Sequence, residues 1–366
     1  MKVTFPAMQG VIGQRTYYTC LMKLNAIPKM FTFRDWAEFT PDEREQRILN
    51  KKRIPEIAKY MLDNEDGYLF SSITASFKCD VDFTAVAGNG LGTLSMEFEE
   101  ANFVINDGQH RCAAIAAALK ENPAMGEESI SVILFPYEDR DRVQQMFSDL
   151  NRYVAKTSKS LDILFDKRDE LAKITLDLIE VVPAFKGFVD KDAVSLPVRS
   201  AKLFSLSALY DANEELLAHH ISDGHKSSSS ELLAIATEYW IAVSKAIPDW
   251  SKVKNGDLKA LELRQENICT HAVVLRAIGA VGNDLMKSDH AGWKGRLLDL
   301  QGINWSKKNP DWEGVCMVAN SVVSNRQARQ ATKAYLKLNL GLPLSDSEVR
   351  AMPEQVRQRV LDAQEV

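Results

Sequence analysis

The apolar pattern changes its period once along the chain, near residue 160, and this change constrains the fold more than any other feature. Before it, short runs rich in β-branched and aromatic residues alternate with helical stretches. After it, apolar residues recur mainly at the spacing of helices. The sequence therefore predicts an α/β (α+β) fold, with a mixed-sheet α/β domain over residues 1–160 and an α-helical domain over residues 161–366.

Individual elements follow from the same patterns. In the first domain we expect strands over 67–86, Thr93–Phe98, Asn102–Ile105 and Ile130–Phe135, and helices over 41–62, Gln109–Leu119 and Arg140–Leu150. In the second domain, prolines separate predicted helices over Leu161–Val182, Ala201–Leu217, Glu231–Ala246, Leu258–Met286 and Asn320–Leu340.

Composition narrows the class of protein. The chain is 45% hydrophobic and 26% charged, which is typical of soluble globular proteins and argues against general disorder. No apolar run approaches the roughly 18 residues of a membrane span, and the N-terminus lacks the apolar core of a signal peptide. Five scattered cysteines without a CxxC pair favour no disulfide framework and no metal site. We therefore expect a cytoplasmic protein without a membrane partner.

The strongest local signal is Val104–Ala114, which predicts a strand, a glycine turn and a helix start. The first N–H groups of a helix lack internal partners and carry the positive end of its dipole. Gly108 lets a ligand approach the backbone, and Arg111 adds a forked donor for phosphate oxygens. This pattern is typical of a phosphate or nucleotide pocket, formed here by Gly108, Gln109, His110 and Arg111.

Two other interpretations of these residues stay open. In the structural one, Asp107 caps the helix, Gly108 makes the turn and Arg111 pairs with an acidic neighbour. In the catalytic one, the site hydrolyses a nucleotide, His110 transfers a proton and Asp107 holds a divalent ion or activates water.

Net charge is −5, so DNA binding would need a local basic patch. One candidate is a helix face on which four cations fall within an arc of roughly 80°. No acidic residue occurs between Glu313 and Asp346, so the stripe lacks opposing charges in its own segment. It suits a DNA backbone, unless acids from elsewhere in the fold pair with it. Its members are Arg326, Arg329, Lys333 and Lys337.

Two further basic groups are candidates for DNA contacts. The first is Lys51, Lys52 and Arg53, the cations of this segment that are least accounted for by i,i+4 pairing with acidic residues. The second consists of Lys156 and Lys159, which follow Asn151 and Arg152. We expect Asn151 and Arg152 to line the same pocket as Arg111, with a capping or turn role for Asn151 as the alternative.

The DGQHR run at 107–111, followed by an Ala-rich helix, is the hallmark of DGQHR-domain proteins. Further segments resemble the DndB family, in the same order and spacing, over most of residues 1–205. They are FPAMQGVIGQRTYY, PDEREQRILNKKRIPEIAKYML, DGYLFSSIT and FSDLNRYVAKTSKSL. The resemblance implies a regulator encoded with bacterial DNA phosphorothioate (sulfur) modification systems. Such a regulator would bind the double-stranded promoter DNA of its operon and act as a repressor.

DGQHR domains in turn resemble the fold of ParB and sulfiredoxin, whose G-x-x-R-x-x-A pattern Gly108, Arg111 and Ala114 fit. This second resemblance implies an alternative function: an enzyme that binds or hydrolyses ATP or another nucleotide with Mg²⁺. Gln109 stands where sulfiredoxins carry their nucleophilic cysteine, which excludes peroxiredoxin repair. A third hypothesis is an adaptor for other DNA sulfur-modification proteins. Recognition of a palindromic promoter would favour a homodimer.

Overall fold

The computed structural model of the protein describes residues 2–31, 50–86, 88–97, 102–152, 157–193, 195–222, 227–289 and 291–364. The chain divides into two compact units, Met1–Ala155 and Lys156–Val366. The first contains a seven-stranded sheet and the second is dominated by helices. The predicted α+β class, with a mixed sheet and a helical C-terminal region, is confirmed.

The strands of the first unit are β1 (Lys2–Ile12), β2 (Arg15–Lys23), β3 (Ile73–Lys78), β4 (Val81–Ala85), β5 (Leu91–Glu97), β6 (Asn102–Asp107) and β7 (Ser129–Pro136). Its α-helices are α1 (Ile27–Met30), α2 (Arg53–Asp63), α3 (Gln109–Glu121) and α4 (Arg140–Arg152). The strand order is β4-β5-β1-β2-β7-β3-β6. Among the described strands of this sheet, β3 and β7 pair in parallel and the other neighbours pair antiparallel, so the sheet is mixed.

The sheet places the DGQHR segment at its edge. β3 is buried along nearly its whole length because β6 and β7 flank it. β6 pairs with β3 as the last of the described strands in the sheet, and it runs directly into α3. The apolar residues Cys112, Ile115 and Ala118 turn α3 toward the core, and α3 packs against α2. The starts of α2 and α3 therefore belong to one packed layer.

The α-helices of the second unit are α5 (Lys159–Phe165), α6 (Glu170–Val181), α7 (Leu206–Ser222), α8 (Ser229–Ala246), α9 (Pro248–Asn255), α10 (Ala260–Glu266), α11 (Ala272–Ser288), α12 (Trp293–Leu297), α13 (Arg326–Asn339), α14 (Asp346–Ala351) and α15 (Glu354–Gln364). Two pairs of very short strands accompany them: β8 (Val189–Asp190) with β9 (Phe204–Ser205), and β10 (Met317–Val318) with β11 (Ser321–Val322). Buried aromatic residues, among them Phe185, Trp240 and Trp250, form the centre of its core. In the part of the chain that the structure describes, no helix is long and apolar enough to cross a membrane.

Several predicted helices have different bounds. The one expected over 41–62 begins at Arg53, and residues 41–49 lie outside the described part of the chain. The one expected over 161–182 is two helices, because Asp166 accepts hydrogen bonds from the N–H groups of Arg168 and Asp169 and stops the first. Asp169 then caps the second by accepting from the N–H of Ala172. A similar break divides the prediction over 258–286 into α10 and α11.

Candidate functional site

The predicted strand, turn and helix at 104–114 is present, and Gly108 makes the turn. Its φ is +101°, a left-handed conformation that side chains rarely adopt. A Cβ atom at this position would lie 3.2 Å from Cγ1 of Ile73. Gly108 is also the N-cap residue of α3, and no side chain caps this helix. The interpretation in which Asp107 is the cap is therefore wrong.

Arg111 points back to the sheet and not into open space. Its Nη1 donates to the backbone carbonyls of Ser71 and Ser72 and to the Ser71 hydroxyl, the last at 2.7 Å. Its Nη2 donates to the carboxylate of Asp107, so the ion pair of the structural interpretation is present. Both terminal nitrogens are thus occupied by internal acceptors. Arg111 ties the first turn of α3 to the segment that enters β3.

His110 connects α3 to the start of α2. Its Nε2 accepts a hydrogen bond of 3.0 Å from the backbone N–H of Asn50. The carbonyl of Asn50 in turn accepts from the N–H of Arg53, so the turn over Asn50–Arg53 is fixed beside the DGQHR segment. This bond brings together two groups that are about 55 residues apart in the sequence. Because Nε2 is an acceptor here, it does not carry a proton in this arrangement.

These groups surround a cavity of about 230 Å³, which we call the DGQHR cavity. α2, α3, α4 and the end of β6 form its walls. Residues singled out in three separate parts of the sequence therefore meet at one place. The lining residues are Arg53, Ile57, Asn106, Asp107, Gly108, Gln109, His110, Arg111, Phe147 and Asn151.

Asn106 is a member of this cavity that the sequence reasoning missed. It is 0% exposed, and its Oδ1 accepts a hydrogen bond of 3.0 Å from the Ser76 hydroxyl. Its Nδ2 is buried and has no hydrogen-bond partner among the residues that the structure describes. A buried donor without a partner costs about 1–3 kcal/mol, so a ligand that accepted from it would recover that energy. The signal in the sequence is an amide that directly follows the buried run Phe103–Ile105.

Residues 5–343 match the family model of DndB, described as DNA-sulfur modification-associated. The chain belongs to the DndB family. The DGQHR segment and the turn over Lys51–Arg53 both lie within the matched region of this DndB-family chain. The family associates the chain with DNA sulfur modification. No curated protein and no solved structure matches the chain.

In this DndB-family chain, only some of the predicted site residues that follow α3 lie at the DGQHR cavity. Asn151 lies on the wall of the DGQHR cavity, and its amide donates to the carbonyl of Phe147 within α4. Arg152 is exposed at the end of α4 and is not among the residues that line the cavity. Lys156 lies outside the described residues. Lys159 forms an ion pair with Asp211 and lies over the ring of Tyr210.

The predicted cationic stripe of α13 is opposed by acids over half its length. Lys337 is only 8% exposed, and its Nζ lies 2.8 Å from Glu348 and 3.4 Å from Asp284. Lys333 contacts the same two carboxylates, at 3.5 and 2.8 Å. The prediction of an unopposed stripe is therefore wrong for Lys333 and Lys337. The acids come from α11 and α14, outside the segment in which the sequence showed none.

The electrostatics of this cluster fit internal ion pairs. Burial disfavours the charged form of Lys333, but the hydrogen bond and charge of Asp284 raise its pKa above the ordinary value. Burial likewise disfavours the Glu348 carboxylate, while the hydrogen bond from Lys337 lowers its pKa. The cluster therefore holds its charges by mutual pairing, and it fastens α14 to α13 and α11. Arg326 is exposed and Arg329 half-buried, and neither forms an ion pair within the described residues.

Proposed function

We propose that the chain is a DNA-binding regulator of the operon for DNA phosphorothioate modification, and that it acts as a repressor at the promoter. The family supplies the association with DNA sulfur modification. The observation that supports DNA binding is the meeting of Lys51–Arg53 with the start of α3 at the DGQHR cavity. A phosphate of the DNA backbone is the ligand that this combination suits best.

Two helix starts face this site. Lys52 is the N-cap residue of α2, and neither α2 nor α3 has a side-chain cap. The free N–H groups at the start of α3 therefore attract an anion. At the start of α2 the N–H groups of Lys52 and Arg53 are donated to Asn50, and Pro55 has none, so α2 contributes mainly its side-chain cations. Lys51, Lys52 and Arg53 are all exposed, and Lys52 and Arg53 form no ion pair within the described residues. Cations at a helix start are opposed by the helix dipole, and a bound phosphate removes that penalty.

The size of the cavity favours a phosphate over an enclosed nucleotide. Sites for small molecules typically measure about 300–1,000 Å³, and the DGQHR cavity measures about 230 Å³. It can take one phosphate group, while a base and a sugar would lie outside. A backbone phosphate meets this condition naturally, since the rest of the strand passes over the surface.

The test is binding of labelled promoter DNA, compared with a scrambled duplex of the same length. We expect tighter binding to the promoter, and an affinity about tenfold lower for the double variant Lys52→Gln, Arg53→Gln, because two phosphate contacts are lost. Lys59→Gln is the matched control, since Lys59 lies on the same helix but pairs with Asp63 at 2.7 Å. Equal binding of promoter and scrambled DNA would contradict the regulator, and an unaffected double variant would contradict this contact.

A second candidate function is nucleotide binding, and the buried Nδ2 of Asn106 favours it. In that case the Asn106 donor and the N–H groups of α3 would hold the phosphates of ATP or another nucleotide with Mg²⁺. Hydrolysis has less support, because Asp107 is engaged by Arg111 and His110 accepts from Asn50. Titration calorimetry with Mg²⁺-ATP and Mg²⁺-CTP tests the candidate. Saturable binding that Asn106→Ala weakens would support it, and no heat with either nucleotide would exclude it.

A palindromic promoter would be bound by a homodimer, and other DNA sulfur-modification proteins remain proposed partners. Light scattering on the free protein and on its promoter complex distinguishes one chain per duplex from two.

A further inference from the structure

A second cavity lies within the helical unit, and neither the family nor the proposed DNA contact accounts for it. It measures about 470 Å³, within the range of about 300–1,000 Å³ that is typical of small-molecule sites. The segment before α7, α7 itself, α10 and the start of α11 form its walls. Arg264, His271 and Lys307 lie on the wall, and none of the described lining residues is Asp or Glu. The described lining therefore carries positive charge, and no carboxylate among its residues balances that charge.

The two permanent cations are fixed by neutral groups. Lys307 donates from Nζ to the backbone carbonyl of Arg264 at 2.7 Å. The guanidinium of Arg264 donates to four backbone carbonyls, those of Pro197, Val198, Ser200 and Lys202. Carbonyl oxygens orient these side chains but do not neutralise them. Burial lowers the pKa of Arg264, and burial together with the charge of Arg264 lowers the pKa of Lys307. The charge of Glu266, which does not line the cavity, acts in the opposite direction on Lys307 but does not outweigh burial and Arg264.

The start of α11 adds polar groups to the same wall. α11 is 17 residues long, and its N-cap residue, His271, makes no side-chain cap. Nε2 of His271 is buried and finds no hydrogen-bond partner in the described part of the chain. Burial, and then the charge of Lys307, lowers the pKa of His271 to about 4, so its ring is neutral at pH 7. A helix start aimed at the cavity and an orphaned ring nitrogen both mark a place for a polar ligand group.

The remaining wall is apolar. Leu203 and Ala208 are buried there, and Val198 is 67% exposed. We propose that this cavity binds a small amphipathic organic anion, a carboxylate or phosphate carried on an apolar body. The anionic group lies between Lys307, Arg264 and the start of α11, and the apolar body contacts Leu203 and Val198. This site is independent of the DNA contact proposed for the first unit.

The test uses two probes that differ in one charged group: 8-anilinonaphthalene-1-sulfonate and the uncharged N-phenyl-1-naphthylamine. We expect the full chain to bind the sulfonate at least about fivefold more tightly, because only the sulfonate can pair with the cations. Lys307→Gln should remove that preference. Lys308→Gln is the matched control and should leave it intact, since Lys308 is the next residue and its side chain is exposed and pairs with Glu266.

A second variant keeps the test decisive if Lys307→Gln fails to fold. Gln265 is an exposed residue of the cavity wall, and Gln265→Glu adds a carboxylate there without changing its shape. It should weaken sulfonate binding by about fivefold, whereas Gln355→Glu, an exposed helical position that does not line the cavity, should not. Equal binding of both probes would overturn the proposal. So would sulfonate binding that neither Lys307→Gln nor Gln265→Glu weakens.

Discussion

Lys51–Arg53 in the first unit and Lys333 with Lys337 in the second are both basic groups on or beside a helix. Carboxylates face Lys333 and Lys337, whereas Lys52 and Arg53 form no ion pair within the described residues. Glu348 and Asp284 approach Lys333 and Lys337 from two other helices. The turn over Lys51–Arg53 instead adjoins uncapped helix starts and a cavity. The same residue types thus form internal ion pairs in one place and are proposed to bind an anion in the other. Long-range partners, and not the density of cations, decide which role applies.

The largest effect should come from breaking the paired group. Glu348→Ala leaves the buried Lys337 with Asp284 alone, at 3.4 Å, and removes the capping box of α14. We expect the free energy of unfolding to fall by about 3 kcal/mol, as when one partner of a buried pair is removed. Urea denaturation measures it. In Glu354→Ala, which removes an exposed partner of Arg357, the loss should stay below about 1 kcal/mol. Similar losses in the two variants would contradict the buried cluster.

The pH dependence of the same cluster has a defined sign. The pKa of Glu348 in the folded chain lies below its ordinary value of 4.5. Its contribution to stability is therefore fully present above that value, and it is lost as the pH falls through the lower folded pKa. The stability difference between wild type and Glu348→Gln should shrink as the pH drops below 4.5. A difference that grew with acidity would contradict the ion pairs.

Arg111 and Arg53 line the same cavity and provide the next comparison. Arg111→Gln should lower the free energy of unfolding by about 2 kcal/mol, because the charged hydrogen bonds of Arg111 to Ser71, Ser72 and Asp107 are lost. Arg53→Gln should change stability by less than about 0.5 kcal/mol, because Arg53 is exposed. Thermal and urea unfolding of both variants test this. Equal stabilities of the two variants would show that the hydrogen bonds of Arg111 do not stabilise the fold.

The smallest effect concerns the free end of α13. Arg326 and Arg329 form no ion pair within the described residues, so Arg326→Gln with Arg329→Gln should weaken promoter binding by about threefold if this end touches the DNA backbone. Lys333→Gln should not weaken it, since Lys333 is paired with Asp284 and Glu348. If Lys333→Gln weakened DNA binding more than the double variant, it would be wrong to assign Lys333 to internal ion pairs and Arg326 with Arg329 to the DNA contact.

The sequence predicted the parts of the fold and of the site that depend on local patterns. The apolar run before Gly108, the turn and the Ala-rich helix α3 are local features, and all three are present. The family resemblance over residues 1–205 is borne out by the model match over 5–343. The break inside the predicted helix over 161–182 is a local feature that the sequence prediction missed, since Asp166 and Asp169 accept hydrogen bonds from nearby backbone N–H groups.

The other features that the sequence did not predict depend on contacts between residues far apart in the chain. The pairing of Lys337 with Glu348 joins α13 to α14, and the residue pattern within α13 does not indicate it. The bond between Asn50 and His110 spans 60 positions. Ser76 of β3 donates to Oδ1 of Asn106, and Nδ2 has no partner among the described residues. Both facts depend on how the neighbouring strands pack around Asn106. Partners of this kind are set by strand order and helix packing.

The most direct test of the account is the salt dependence of promoter binding. The logarithm of the binding constant should fall linearly with the logarithm of the salt concentration, with a slope of about 0.9 for each phosphate contact. The double variant Lys52→Gln, Arg53→Gln should therefore show a slope smaller by about 2 than wild type, whereas Lys59→Gln should keep the wild-type slope. A double variant with the wild-type slope would show that the turn beside the DGQHR cavity does not touch DNA.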